Sequence, residues 1–272
     1  EIGQTVLALL EQQKIPMDQC VGAGIGVPGT VDRKQGSVRY SNNIRWEDVD
    51  IVKEMGKYLP IPIYIANDAD CAALGEVTAG AGRDYQVVIM LTLGTGVGGG
   101  IILDGNIYEG KGIGGSELGH MVIVEDGEQC TCGRKGCWEA YASATALINQ
   151  TKAAMAEYPD SVMHKIAAEE GKVSGRTAFD AMRKGDIAGI NVVNNYIKYV
   201  ACGLINLVNA LQPEIICIGG GICNEGDTLM KPLSKFVQAE RYSIHSKIQT
   251  KIMKAELGND AGIIGAALLG SI

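Results

Sequence analysis

Three short apolar runs in this chain each stop on a glycine or Asx turn, and that pattern restricts the fold more than any other feature of the sequence. Val21 to Val27 ends in Pro28-Gly29, Ile63 to Ala66 in Asn67-Asp68, and Glu214 to Ile218 in Gly219-Gly220-Gly221. Runs this short, bounded by turn residues, read as buried strands. Helical patterns alternate with them: an amphipathic helix over 2–14 stopped by Pro16, a short helix over 51–58, and a helical run from Asp68 to about Thr78. A second β block follows at 86–92, 97–103 and 107–108, with Asp104-Gly105 as a hairpin signal, so these strands are expected to be antiparallel. Helices are then predicted over 144–157, 176–184 and 186–211, the last closed by Pro213. A helix near 229–241, a strand around 251–254 and a helix from Asp260 complete the reading. Mixed β runs and βα units together predict an α/β fold.

Composition then excludes several function classes. No apolar stretch approaches the 18 or so residues of a membrane-spanning helix. With 24 Lys plus Arg against 31 Asp plus Glu, the net charge of −7 offers no broad basic surface to nucleic acid. No secretory signal pattern opens the chain, which predicts a cytoplasmic protein. Among the 272 residues there are 8 Cys, too few for a disulfide scaffold. Cys20, Cys71, Cys202, Cys217 and Cys223 lie singly, as buried free thiols do; the other three cluster.

The 37 glycines collect where ligands can use them. Leu91 to Gly100 reads as strand, Gly/Thr turn and strand, in which Gly94, Gly96 and Gly98 let backbone N–H groups approach phosphate oxygens while Thr92 and Thr95 add hydroxyl donors. The same stretch is also readable as a β-turn with no ligand. Gly219, Gly220 and Gly221 form a second such turn, suited to the flat face of a nucleotide. Asp68, where a strand gives way to a helix, is either part of an N-cap or a general base for a substrate hydroxyl.

The strongest local pattern runs from Glu117 to Glu139. His120, Cys130, Cys132 and Cys137 supply four N/S donors within 18 residues, the set of a closed tetrahedral zinc site. The Cys-x-Cys spacing is tight and demands a sharp turn through Thr131 and Gly133. Four protein ligands leave no open position, so zinc is expected to fix geometry, with Glu117 and Glu139 as carboxylates on the same rigid loop. His164 and His245 read as surface histidines.

With these residues on view the sequence resembles the ROK family of repressors and sugar kinases, and within it the bacterial ATP-dependent glucokinases. The resemblance rests on Glu117-x-Gly119-His120 with Cys130-x-Cys132-Gly133-x-x-Gly136-Cys137-x-Glu139. Gly26 to Gly29, Asn67 to Ala69, Leu93 to Gly100, Ile218 to Gly221 and Gly258 to Gly262 follow in the family order. It implies a two-lobed actin/hexokinase-like (ribonuclease H-like) ATPase fold with a zinc-stapled loop. ATP with Mg2+ and a hexose would occupy the cleft, and the protein would be a homodimer of carbohydrate metabolism. Asp68 would be the catalytic base; Asn67, Glu117, His120, Glu139, Gly29 and Asn43 would contact sugar. Thr92, Gly94, Thr95, Gly96 and Gly98 would hold phosphates, Gly219 to Gly221 the adenosine, and His120, Cys130, Cys132 and Cys137 the zinc.

The expected lobes are 1–66 with 260–272, and 67–259. The family's opening Asp-x-Gly-Gly-Thr hairpin has no counterpart here, which predicts that about the first fifty residues of such a kinase are absent. The expected reaction is conversion of glucose to glucose 6-phosphate. A sugar-responsive transcriptional regulator and an N-acetylmannosamine kinase are the alternatives within the family. The sugar's 2-position would be read in part by the loop Tyr40 to Arg45.

Overall fold

The computed structural model describes residues 1–41 and 43–272, so Asn42 of the Tyr40–Arg45 loop lies outside the described residues. In chain order the elements begin with α1 (Ile2–Gln13), β1 (Ala23–Val27), β2 (Thr30–Asp32), β3 (Ser37–Ser41), β4 (Trp46–Val49) and α2 (Ile51–Gly56). Next come β5 (Ile63–Asn67), α3 (Asp68–Ala79), β6 (Val87–Leu93), β7 (Val97–Leu103) and β8 (Asn106–Ile107). Then follow α4 (Glu139–Ala142), α5 (Ala144–Glu157), α6 (Met163–Glu170), α7 (Thr177–Arg183) and α8 (Ile187–Leu211). The chain closes with β9 (Ile215–Gly219), α9 (Asp227–Glu240), β10 (Lys251–Lys254) and α10 (Asp260–Leu268). No described helix is long and apolar enough to cross a membrane.

Contacts divide the chain into two compact units. Unit 1 comprises Glu1–Met90, Gly100–Ser116 and Glu256–Ile272; unit 2 comprises Leu91–Gly99 and Glu117–Ala255. The grouping differs from the expected lobes, because α3 belongs with unit 1. Its reason is backbone-to-backbone packing: a β-carbon on Gly75 of α3 would land on the Ala261 carbonyl, and one on Gly265 of α10 on the Cys71 carbonyl. With glycine at both positions, α3 and α10 approach too closely for a boundary to separate them.

In unit 1, β1 and β5 pair in parallel, with Ala23 opposite Ile63 and Val27 opposite Asn67. A separate antiparallel sheet has the order β2-β3-β4. Val27, Val31, Val38, Ile51, Met55, Leu59 and Ile65 form one buried cluster, with Trp46 of β4 packed half-buried against it. The β2–β4 sheet is not among the elements predicted from sequence. Its strands are three to five residues long and largely polar, with Arg45 and Asp48 at positive φ, which leaves too few residues for an alternation to register.

A five-stranded sheet has the order β10-β9-β6-β7-β8, with β9 and β10 parallel and β7 and β8 antiparallel. In unit 2 the long α8 begins where Asp186 accepts the Gly189 N–H at 2.7 Å and ends at Gln212, in the left-handed region at φ 43°, just before Pro213. Its buried face includes Val193, Tyr196, Ile197, Val200 and Leu204.

Candidate active site

Asn67 ends β5 and caps α3. Its Oδ1 accepts the N–H groups of Ala69 at 2.8 Å and Asp70 at 3.4 Å, and its Nδ2 donates to the Gly29 carbonyl at 3.0 Å. Gly29 sits at φ +109°, where a β-carbon would land on the Tyr40 carbonyl, so the turn after β1 requires glycine. The capping reading therefore holds for Asn67, and it leaves the neighbouring carboxylate at the helix start. Asp68 Oδ1 accepts the Ala69 N–H at 3.0 Å. Its side chain reaches solvent, yet protein crowds around it. Desolvation raises its carboxyl above the ordinary aspartate value, against the lowering from the Ala69 and Asp68 N–H groups. Behind it, burial followed by the nearby Asp70 and Asp68 charges pushes the Cys71 thiol up to about 12, so this cysteine is inert. Asn43 lies exposed in the turn between β3 and β4.

In unit 2 the two glycine turns meet. Gly220, at φ +95°, packs so closely on the backbone of Leu93 that a β-carbon would strike the Leu93 carbonyl. By contrast Gly94 and Gly221 face open space. The carbonyls of the first turn are all engaged inward: Gly94 O accepts from Ala144 N at 2.8 Å, Thr95 O from Thr145 Oγ1 at 2.8 Å, and Gly96 O from Gly94 N at 3.0 Å. Among the described residues the N–H groups of Thr95 and Gly96 have no internal partner. Two free N–H groups beside satisfied carbonyls give this turn the polarity that suits an anion.

The donor atoms of His120, Cys130, Cys132 and Cys137 lie within 4.8 Å of one another. Cys130 Sγ is 3.6 Å from His120 Nδ1, and Cys132 Sγ is 3.6 Å from Cys137 Sγ. The sharp turn demanded by the spacing is present: Gly133 sits at φ +90° and donates its N–H to the Cys130 carbonyl at 3.1 Å. A single turn of 3-10 helix after Glu117 brings the His120 N–H to the Glu117 carbonyl at 3.1 Å. Glu139, on α4, reaches back to the glycine turn, where Oε2 accepts the Val97 N–H at 2.9 Å.

Unit 2 thus gathers Gly94, Thr95, Gly96, Glu139, the four metal-binding candidates and Gly219–Gly221, whereas Asn67, Asp68 and Gly29 gather in unit 1. Thr92 is half-buried on β6. His164 and His245 are exposed, as expected; Cys20 and Cys202 are only half-buried, whereas Cys71, Cys217 and Cys223 are buried. Sequence reasoning missed Thr145 and Thr131, whose hydroxyls meet Thr95 and Glu139. Lone threonines carry no local signal, since their partners are supplied by folding.

The profile of the ROK family matches residues 1–271. The glucokinase of Thermotoga maritima is 36% identical over 268 residues, covering 98% of this chain and 82% of that protein. The glucokinase of Halalkalibacterium halodurans is 36% identical over 251 residues, covering 92% of this chain and 76% of that protein. Among solved structures, a ROK family glucokinase from Streptomyces griseus in complex with glucose and AMPPNP superposes with a TM-score of 0.82 at 31% identity, covering 98% of this chain and 86% of that one. Sequence and structure agree along nearly the whole length, and the chain belongs to the ROK family.

Proposed function

We propose that this chain is an ATP-dependent hexose kinase that converts glucose to glucose 6-phosphate. What carries the reading is the likeness, over 98% of the chain, to a glucokinase solved with glucose and AMPPNP. The residues supply chemistry that suits it. Asp68 takes the proton of the sugar 6-hydroxyl as that oxygen attacks the γ-phosphoryl of Mg-ATP, and ADP leaves. Asn67 and Gly29 hold the base at the start of α3. The N–H groups of Thr95 and Gly96 receive phosphate oxygens, with Thr92 and Gly98 completing the strand–turn–strand frame, while Gly219–Gly221 seats adenosine. Glu117, His120 and Glu139 bind sugar hydroxyls, and Asn43 adds a contact from the β3–β4 turn.

The metal-binding candidates fit zinc. Bond lengths of about 2.3 Å to sulfur and 2.0–2.1 Å to nitrogen in a tetrahedron place donors about 3.5–3.8 Å apart. The two separations of 3.6 Å agree with that. A bound zinc supplies rigidity, since four protein ligands leave no place for a water. His120 presents its other ring nitrogen to the sugar. We further place the protein in the cytoplasm, as a homodimer, in glycolytic carbohydrate metabolism.

Release of ADP measured over a panel of hexoses tests the reading: glucose should give the highest kcat/KM, and Asp68→Asn should lower kcat at least about 100-fold while sugar affinity stays within an order of magnitude. Near-normal turnover in Asp68→Asn would reduce Asp68 to a helix-start residue. A preference for N-acetylmannosamine would move the substrate, and sugar binding without ADP release would favour a regulator.

A further inference from the structure

We infer that Glu139 is a positioning residue that ties the metal-binding loop to the Gly94–Gly98 turn, so that the hold on nucleotide phosphates depends on the metal content of the loop. The inference rests on the reading that this turn receives ATP phosphates and that the loop holds zinc. Its basis is the way one carboxylate is shared. Oε2 accepts the Val97 N–H at 2.9 Å, and it packs on Gly96 so closely that a β-carbon there would overlap it. Gly96 thus lies directly beneath the Glu139 carboxylate, a neighbour that the sequence did not indicate. The other oxygen faces the metal-binding loop: Oε1 lies 3.4 Å from Thr131 Oγ1 and 3.8 Å from Cys130 Sγ.

The backbone under Glu139 is fixed on both sides. Trp138 is fully buried; its Nε1 donates to the Tyr199 carbonyl at 2.8 Å, and its ring packs against Gly203 of α8, where a β-carbon would overlap it. After α4, Ser143 caps α5 by accepting the Ala146 N–H at 3.0 Å, and Ala144 and Thr145 bond the glycine turn itself. With α4 anchored, what remains free to steer the Glu139 carboxylate is the Cys130–Thr131 segment, and one of its residues is a metal ligand candidate. A bound zinc would fix that segment, the Thr131 hydroxyl on it donates to Oε1, and the carboxylate holds the Val97 amide at the edge of the phosphate turn.

Such a tie must be reciprocal. In zinc-loaded protein, AMPPNP affinity is measured by calorimetry, and zinc affinity by equilibrium competition with a chromophoric chelator. Removing zinc should weaken AMPPNP binding about tenfold, and saturating AMPPNP should tighten zinc binding by the same factor. In Glu139→Gln both dependences should shrink to about twofold or less. Gly96→Ala provides a route that keeps zinc in place: its methyl displaces the carboxylate and weakens AMPPNP, and adding Glu139→Asp, one methylene shorter, should restore part of the loss. Wild-type protein that binds AMPPNP equally with and without zinc would overturn the tie, as would a Gly96→Ala loss that Glu139→Asp leaves untouched. Wild-type protein that binds no AMPPNP would instead remove the kinase reading on which the tie rests.

Discussion

At Asp68 the immediate surroundings set a pH response whose two consequences run in opposite directions. Desolvation raises the carboxyl of the folded protein above its ordinary value. A raised carboxylate pKa gives stability that is fully present below the unfolded value and lost as pH rises through the folded one. The proposed base works only in its ionised form, so with Asp68 in that role activity is lost as pH falls through the same folded value. The acid limb of kcat/KM should therefore have its midpoint above the ordinary aspartate value, with stability rising slightly over the interval in which activity disappears. Parallel pH profiles of turnover and urea midpoint check this; a limb at or below the ordinary value would remove the desolvated base. The position of Asp68 at a strand-to-helix junction was legible from Asn67-Asp68 alone, whereas its desolvation was not, because no local pattern reports how much protein surrounds a side chain. The same holds for the glycines: the sequence suggested ligand approach at each, but it carried no sign that Gly220 packs on the Leu93 backbone or that Gly96 lies beneath the Glu139 carboxylate.

Among the elements, α3 and α10 are the pair whose packing is most exacting. Gly75 and Gly265 bring the two helix backbones together, and Gly24 of β1 lies against the Ala266 carbonyl. Glu76, fully buried on α3, completes the arrangement: Oε1 accepts the Leu257 N–H at 2.8 Å, while Oε2 accepts those of Ala81 at 2.9 Å and Glu256 at 3.1 Å. Gly265→Ala should cost about 1–3 kcal/mol through overpacking. Glu76→Gln should cost about as much, because an amide NH2 facing those donors leaves at least one buried N–H unsatisfied. Urea denaturation measures both, and an unchanged midpoint for either would show that the helices have room the packing denies them. The elements themselves were mostly legible, since α8 carries a long apolar periodicity and β6 and β9 are apolar runs bounded by turn residues. The β2–β4 sheet and α6 were not. Their strands or turns are short and mixed in polarity, so no periodic pattern marks them in the sequence.

For the whole molecule the cluster of His120, Cys130, Cys132 and Cys137, taken as a zinc site, predicts a dependence on metal: about one zinc per chain by elemental analysis, and a lower melting temperature after chelation or in Cys132→Ser. Zinc-free protein with unchanged melting and sugar binding would sink that expectation. The chain has two tryptophans, and the fold places one in each compact unit: Trp46 half-buried on β4, and Trp138 sealed against α8 beside Cys137. Each unit thus carries its own optical label. Trp46→Phe leaves an emission that comes from the unit with the His/Cys cluster alone, shielded from acrylamide and expected to shift red on chelation. Trp138→Phe leaves an emission from the unit that carries Asp68, open to quencher and indifferent to the metal. Comparing the two as denaturant rises separates the melting of one unit from that of the other, with no dye and no added tag.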